Sequence, residues 1–560
     1  MKKSSELQEK VKVMQFKYKN DPEKLNKEMM NLYKTENVSP FSGCLTSIIQ
    51  MLLLLSIFYL VRSPLTFMEK IPQENINTYI QQLKDEGKAI SNVYPEIDLI
   101  RETELLKEKN PVLGSFLKKE ETLDEDCLYL NVTTPDTTGK LPVLCWIHGG
   151  AFQKGSATAG INPPSFAREG MVVVNMNYRL GALGFMDMSG YLGDAYRQSG
   201  NSGLLDIIEA LRWVRKNIAF FGGDPNNVTL FGQSGGGAKV LVLMTVPAAH
   251  WLFHKAIVQS GAVEACGMTN VTQKTAHRVA ELMLDSLGIS PQNADKLQTI
   301  PYSQLMAAGN KAMAQTAQEE NSIDSWGNPG LLWTPVVDGD YLPYQPVIDS
   351  IASQAKDIPL LIGSCMTEWT TMPMLGNPDK FAHDNMHTWN KEETMKKLQA
   401  RFGNRTDSVV AAFISAYPGR SISEALYIDT MLRLPALKTA RLKADQHGAP
   451  VYNYLFAWDT PIHGGFAISY HFSEIPFVFS KTSLSPAASA GGSEVKELEE
   501  RISKAWINFA RTGNPNHEGL PSWPAFTREN GNTMIFGNKC EVRKDFDYKL
   551  LSLLRPNYKF

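Results

Sequence analysis

Hydrophobic positions recur along the chain in three successive patterns, and each predicts a different kind of element. Leu7, Val11, Met14 and Tyr18 fall on one helical stripe, and Leu25, Met29, Leu32 and Tyr33 form another after Asp21-Pro22. Asp before Pro suits an N-cap followed by the first helical position. Residues 1–37 are therefore predicted to form a short basic helical hairpin. Residues 38–61 then run for 24 positions without a charge, around the apolar heart LTSIIQMLLLLSIFYLV. Spanning a bilayer takes roughly 20 mainly apolar residues, so 38–62 is predicted to be a transmembrane helix, with 63–118 a helical linker behind it.

The third pattern begins near Lys119. Here PVLCWI (142–147), MVVVNM (171–176), VTLF (228–231), KAIVQS (255–260), PLLIG (359–363) and VYNYLF (451–456) are near-continuous apolar runs. Strands buried on both faces of a parallel sheet read this way. Between them, Leu204, Ile207, Ile208, Leu211 and Val214 make one apolar helix face. Strands alternating with helices predict an α/β fold with a central, mostly parallel sheet over residues 119–560, preceded by an all-α, membrane-associated segment.

Charge narrows the partners. The chain has 56 Lys and Arg against 58 Asp and Glu, a formal charge of −2, so no basic excess is available for a nucleic-acid backbone. Locally, residues 1–37 carry nine Lys against six acids. The positive-inside tendency puts that segment in the cytoplasm and everything after Arg62 on the other side of the membrane; if the N-terminal segment were a fusion artefact, the globular part would be cytoplasmic. The apolar run is not read as a signal peptide, because no small-x-small cleavage site follows it. Six cysteines, at 44, 127, 145, 266, 365 and 540, include no C-x-x-C pair. They read as mostly free thiols, and no metal or cofactor is expected.

Candidate chemistry sits at Gly232-Gln233-Ser234-Gly235-Gly236. This fits G-x-S-x-G, a nucleophile elbow that holds Ser on a tight strand-to-helix turn. VTLF before it reads as a strand and AKVLVLM (238–244) after it as a helix, the context that the motif requires. A second element, His148-Gly149-Gly150, directly follows the PVLCWI run. Two successive glycines can aim their amides at one point, and with the amide of Gly235 they would hold a developing oxyanion, each donor worth about 2.7–4 kcal/mol in comparable sites. An acid and a base should follow in the order Ser…Asp/Glu…His. Spacing alone does not choose among the nine histidines downstream. His383 and His387 stand at i, i+4 but lack an H-E-x-x-H pattern, so they read as surface residues.

Two resemblances complete the reading. KYKNDPEKLNKEMMNLYK, followed by SPFSGC, the apolar run and RSPLTFM, resembles part of a YidC-type membrane protein insertase over about residues 1–110. An insertase reading of the whole chain is disfavoured, since that family works through several membrane helices. From Glu125 onward, EDCLYLNV (125–132), WIHGGAF (146–152), NYRLGALGF (177–185), the stretch 210–237, IGSCMTEW (362–369), YHFSEIPFVF (470–479) and WINFARTGNPN (506–516) resemble the type-B carboxylesterases, the cholinesterase-like branch of the α/β-hydrolases. That resemblance implies Ser234 as nucleophile, Glu368 as acid, His471 as base, and Gly149, Gly150 and Gly235 as the oxyanion hole. It gives Glu474 a structural place. The chain departs from the family at Gln233 and Gly235, where Glu and Ala are usual, and at Cys365 and Trp369, where Asn and Gly are common. Cys127 pairs with an upstream Cys in secreted animal members; no such disulfide is expected here. The implied activity is hydrolysis of a small-molecule carboxylic ester through an acyl-enzyme. A non-catalytic scaffold of the same fold is the main rival, and a chimera joining the two families with impaired activity is another.

Overall fold

The computed structural model describes residues 2–19, 21–35, four helical positions between 77 and 84, and residues 124–559 except 159–160, 265–268, 323–329, 349, 372–382 and 486–491. The predicted transmembrane helix at 38–62 and nearly all of the linker at 63–118 lie outside the described residues. Among the described residues, no helix is long and apolar enough to cross a membrane. The chain divides into two compact units, Met1–Lys109 and Asn110–Phe560.

In the first unit, α1 (Lys2–Lys17) and α2 (Pro22–Thr35) follow the two predicted stripes. Asp21 starts the second helix: its Oδ1 accepts the backbone N–H of Lys24 at 3.1 Å, and Pro22 is the first helical residue.

The second unit is organised by strands β1 (Leu130–Thr133), β2 (Leu141–Ile147), β3 (Val172–Met176), β4 (Gly223–Gln233), β5 (Lys255–Gln259), β6 (Val271–Thr272), β7 (Val336–Val337), β8 (Leu360–Cys365), β9 (Val451–Phe456), β10 (Asn532–Phe536) and β11 (Glu541–Lys544). Nine of them form one sheet in the order β1-β3-β2-β4-β5-β8-β9-β10-β11, while β6 and β7 pair separately. Every pairing from β3 to β10 is parallel, and β1 and β11 run antiparallel at the two edges. The six apolar runs of the sequence are all strands of this sheet.

Their continuous hydrophobicity has a simple cause. Successive strand residues point to opposite faces, and here both faces are covered. Val143, Cys145 and Ile147 enter one core, with α3 (Ser202–Asn217) and α4 (Gly235–Leu243) packed over it. Leu144 and Trp146 enter the other, beneath α5 (Ser493–Thr512). In that second core Trp146 meets Phe231 edge-on at 4.6 Å and Phe479 at 5.4 Å; such pairs add about 0.5–1.5 kcal/mol each beyond the area they bury.

Strand order also locates a site. β2 lies between β3 and β4, so the chain builds outward to one side of β2 and then to the other. Ligands of open α/β sheets bind beyond the carboxyl ends of strands at such a reversal. His148-Gly149-Gly150 follows β2 there, Ser234 follows β4 and Glu368 follows β8.

Candidate active site

Ser234 occupies a single-residue corner between β4 and α4, with φ 57° and ψ −127°. A non-glycine residue in that region is strained, and the strain holds its side chain out at the top of the sheet. Glycine makes the corner possible. A Cβ on Gly236 would stand 2.1 Å from the carbonyl oxygen of Ile147, so α4 can start against the end of β2 only without a side chain there.

Two distant segments bring the other predicted residues to Ser234. His471 Nε2 lies 2.9 Å from Ser234 Oγ, and His471 Nδ1 lies 2.5 Å from Glu368 Oε2. Glu368 is fully buried, and its other oxygen accepts the backbone N–H of Cys365 at 2.7 Å. The His471 backbone N–H donates to the Glu368 carbonyl at 2.7 Å, which fixes the two segments to each other as well as their side chains. Burial by itself pulls the pKa of His471 down, but the Glu368 carboxylate outweighs it and the net displacement is upward.

Gly149 and Gly150 begin a tight turn after β2. Gly150, Ala151 and Phe152 all have positive φ, at 103°, 51° and 63°, and the N–H groups of Gln153 and Lys154 both donate to the Gly150 carbonyl. The turn presses on the elbow: a Cβ on Gly235 would lie 2.8 Å from the backbone nitrogen of Ala151. Among the described residues, the amides of Gly149, Gly150, Ala151 and Gly235 meet no acceptor. The turn also lies against the serine, since a Cβ on Gly149 would stand 3.2 Å from the Ser234 Cβ.

Several neighbours surround the triad, among them Gln233 and Trp369, which the sequence marks only as departures from the family pattern. The indole of Trp369 stacks on the His471 ring at 4.8 Å, and Gln233 Nε2 approaches His471 Nε2 at 3.3 Å. Glu474 sits in its own network, accepting from Gln259 Nε2 at 3.0 Å and from the Cys365 thiol at 3.3 Å. Burial, and then the charge of Glu368, push the Glu474 carboxyl up to about 7. Asp429 is likewise buried and pushed up, although it accepts the backbone N–H groups of Met431, Leu432 and Arg433. Trp369, Leu426, Ile428, Met431, Leu434 and Arg555 contribute to the lining of a cavity of about 910 Å³. His383 and His387 are exposed, and among the described residues no group of three or more His, Cys, Asp or Glu could hold a metal ion. Cys127, Cys145, Cys365 and Cys540 are free thiols.

Residues 100–550 match the model of the carboxylesterase family. The chain belongs to that family. It is 37% identical over 439 residues to the para-nitrobenzyl esterase of Bacillus subtilis (strain 168), covering 77% of this chain and 83% of that one. Over 462 residues it is 32% identical to the cocaine esterase of Homo sapiens, covering 76% and 74%. Among solved structures it resembles an esterase of Clostridium hathewayi that can hydrolyse aliphatic aromatic polyesters, with a TM-score of 0.70 and 36% identity over 79% of this chain and 85% of that chain. Residues 1–107 separately match the model described as 60Kd inner membrane protein. This carboxylesterase is thus an enzyme that hydrolyses carboxylic esters on an α/β-hydrolase fold.

Proposed function

We propose that hydrolysis runs through a Ser234-His471-Glu368 triad and an acyl-enzyme on Ser234. The observation that carries this reading is the continuous contact chain from Ser234 Oγ at 2.9 Å to His471 and from His471 at 2.5 Å to Glu368. His471 takes the Ser234 proton at Nε2 as Oγ attacks the ester carbonyl carbon. Glu368 keeps the other imidazole proton on Nδ1 and stabilises the imidazolium. The amides of Gly149, Gly150 and Gly235, joined by that of Ala151, receive the oxyanion. His471 then protonates the leaving alcohol. In the second half it deprotonates a water that attacks the acyl carbon, releasing the carboxylic acid and restoring Ser234.

Diethyl p-nitrophenyl phosphate tests the nucleophile directly. The purified chain should release one equivalent of p-nitrophenol, lose esterase activity, and carry the diethylphosphoryl group on the peptide containing Ser234. Stoichiometric inactivation with the label on another residue would sink the assignment.

We further read residues 38–62 as a membrane anchor, with the ester-hydrolysing unit on the extracytoplasmic side. The 24-residue uncharged run, the lysine-rich segment before it and the match of residues 1–107 to the 60Kd inner membrane protein model support this. Membranes from cells expressing the full chain should retain esterase protein after an alkaline carbonate wash. Release into the supernatant removes the anchor and leaves the esterase chemistry untouched.

A further inference from the structure

Lys239 is left unused by the triad. It stands on α4 five residues after Ser234, and none of it is exposed. Lysine is almost never fully buried without a partner, because its ammonium is a compact and strongly hydrated charge. Among the described residues no carboxylate pairs with it. Its Nζ donates to the carbonyl of Gly235 at 3.2 Å and lies 3.8 Å from the Phe152 ring centroid and 4.9 Å from that of Tyr178. The faces of both rings favour the cation.

Both rings belong to the frame of the turn after β2. Phe152 is the turn's third positive-φ residue. The Tyr178 hydroxyl donates to the His148 carbonyl at 2.6 Å, and its ring stacks on the His148 ring at 4.3 Å. The buried ammonium therefore touches the elbow through Gly235 and the turn through Phe152 and Tyr178. Its neighbours Val240, Leu241, Val242 and Leu243 are the apolar residues this interior otherwise takes. An uncompensated charge here costs stability.

We propose that Lys239 is a positioning residue for ester hydrolysis, whose ammonium stabilises the oxyanion of the tetrahedral intermediate from behind the Gly235 and Ala151 amides. This rests on Ser234 as the nucleophile. A residue's own amide nitrogen and carbonyl oxygen are at most about 3.6 Å apart, so Nζ stands within about 7 Å of the Gly235 nitrogen. With the oxyanion about 3 Å beyond that nitrogen and an effective dielectric of about 20, one unit charge is worth on the order of tenfold in kcat.

The test compares the full chain with Lys239→Met on p-nitrophenyl butyrate, with Lys239→Gln as a second variant and Ser234→Ala alongside. Lys239→Met should lower kcat about tenfold, leave KM within about twofold, and raise the thermal midpoint by about 2 °C or more. A strut of ordinary packing would move the midpoint down with kcat. A pH profile gives a separate readout. Burial holds the ammonium well below the ordinary lysine value of 10.5, so kcat of the parent should fall as rising pH removes the charge, at lower pH than a free lysine would lose it. The titratable groups facing it do not intervene: burial and Lys239 push His148 down to about 3, and burial pushes Tyr178 well above 10. Lys239→Met should lack that fall. Unchanged kcat in a folded variant, a lowered midpoint, or failure of both variants to fold would each overturn the proposal. Turnover surviving in Ser234→Ala would remove the nucleophile assignment and this proposal together, whereas an inactive Ser234→Ala beside an unaltered Lys239→Met removes this proposal alone.

Discussion

Ser234→Ala is expected to lower kcat by on the order of 10⁵-fold while leaving the fold as it is. The substitution removes the atom that attacks the ester carbon and the proton that His471 takes, so neither half of the triad has work left. What remains is the oxyanion turn and the binding surface, which alone give a small residual rate over water. Stability should hardly move. Alanine meets the same positive φ that serine already endures, and the lost hydroxyl contact to His471 at 2.9 Å is worth about 0.5–1.5 kcal/mol. Steady-state rates with p-nitrophenyl butyrate and a thermal melt on the same preparation check both halves. A residual rate above about 1% of the parent, with no contaminating esterase, would show that another group attacks the ester.

The sequence made some of this site legible and hid the rest for physical reasons. The parallel strands announced themselves because burial on two faces leaves few polar positions, and runs such as Val172–Met176, with Asn175 the single polar residue, are buried throughout. Ser234 could be found from its glycines, since the corner between β4 and α4 has no room for side chains beside it. Glu368 and His471 could not be found from spacing, because 103 residues separate them in the chain and only the sheet brings their strand ends together. Resemblance supplied them. The turn at Ala151 was not legible, because nothing about an alanine side chain marks a φ of 51°. The burial of Lys239 was not legible either, since nothing in the run AKVLVLM marks its lysine, and only the packing puts it against Phe152 and Tyr178.

Glu368→Gln should cost about 10⁴-fold in kcat with little change in fold, and should displace the pH profile in a stated direction. The amide oxygen can still accept the Cys365 N–H, so the segment after β8 keeps its hydrogen bond. The amide lacks the charge that fixes the proton on His471 Nδ1 and steadies the imidazolium in the transition state. The sign for pH follows from that same charge. Glu368 favours the protonated ring and holds the pKa of His471 above its ordinary 6.5, while the reaction needs the ring neutral. In the parent, kcat/KM should therefore fall as pH drops through a value above 6.5. Removing the carboxylate lowers that pKa, so the acidic limb of the residual activity should move to lower pH. Glu474→Gln provides the contrast. Its carboxyl is pushed up to about 7 by burial and then by Glu368, so at neutrality it is only about half ionised and below that it carries little charge. Its replacement should cost less than about tenfold and leave the acidic limb nearly in place. Equal losses in the two variants, or an acidic limb that moves with Glu474 and not with Glu368, would assign the orienting carboxylate to the wrong residue.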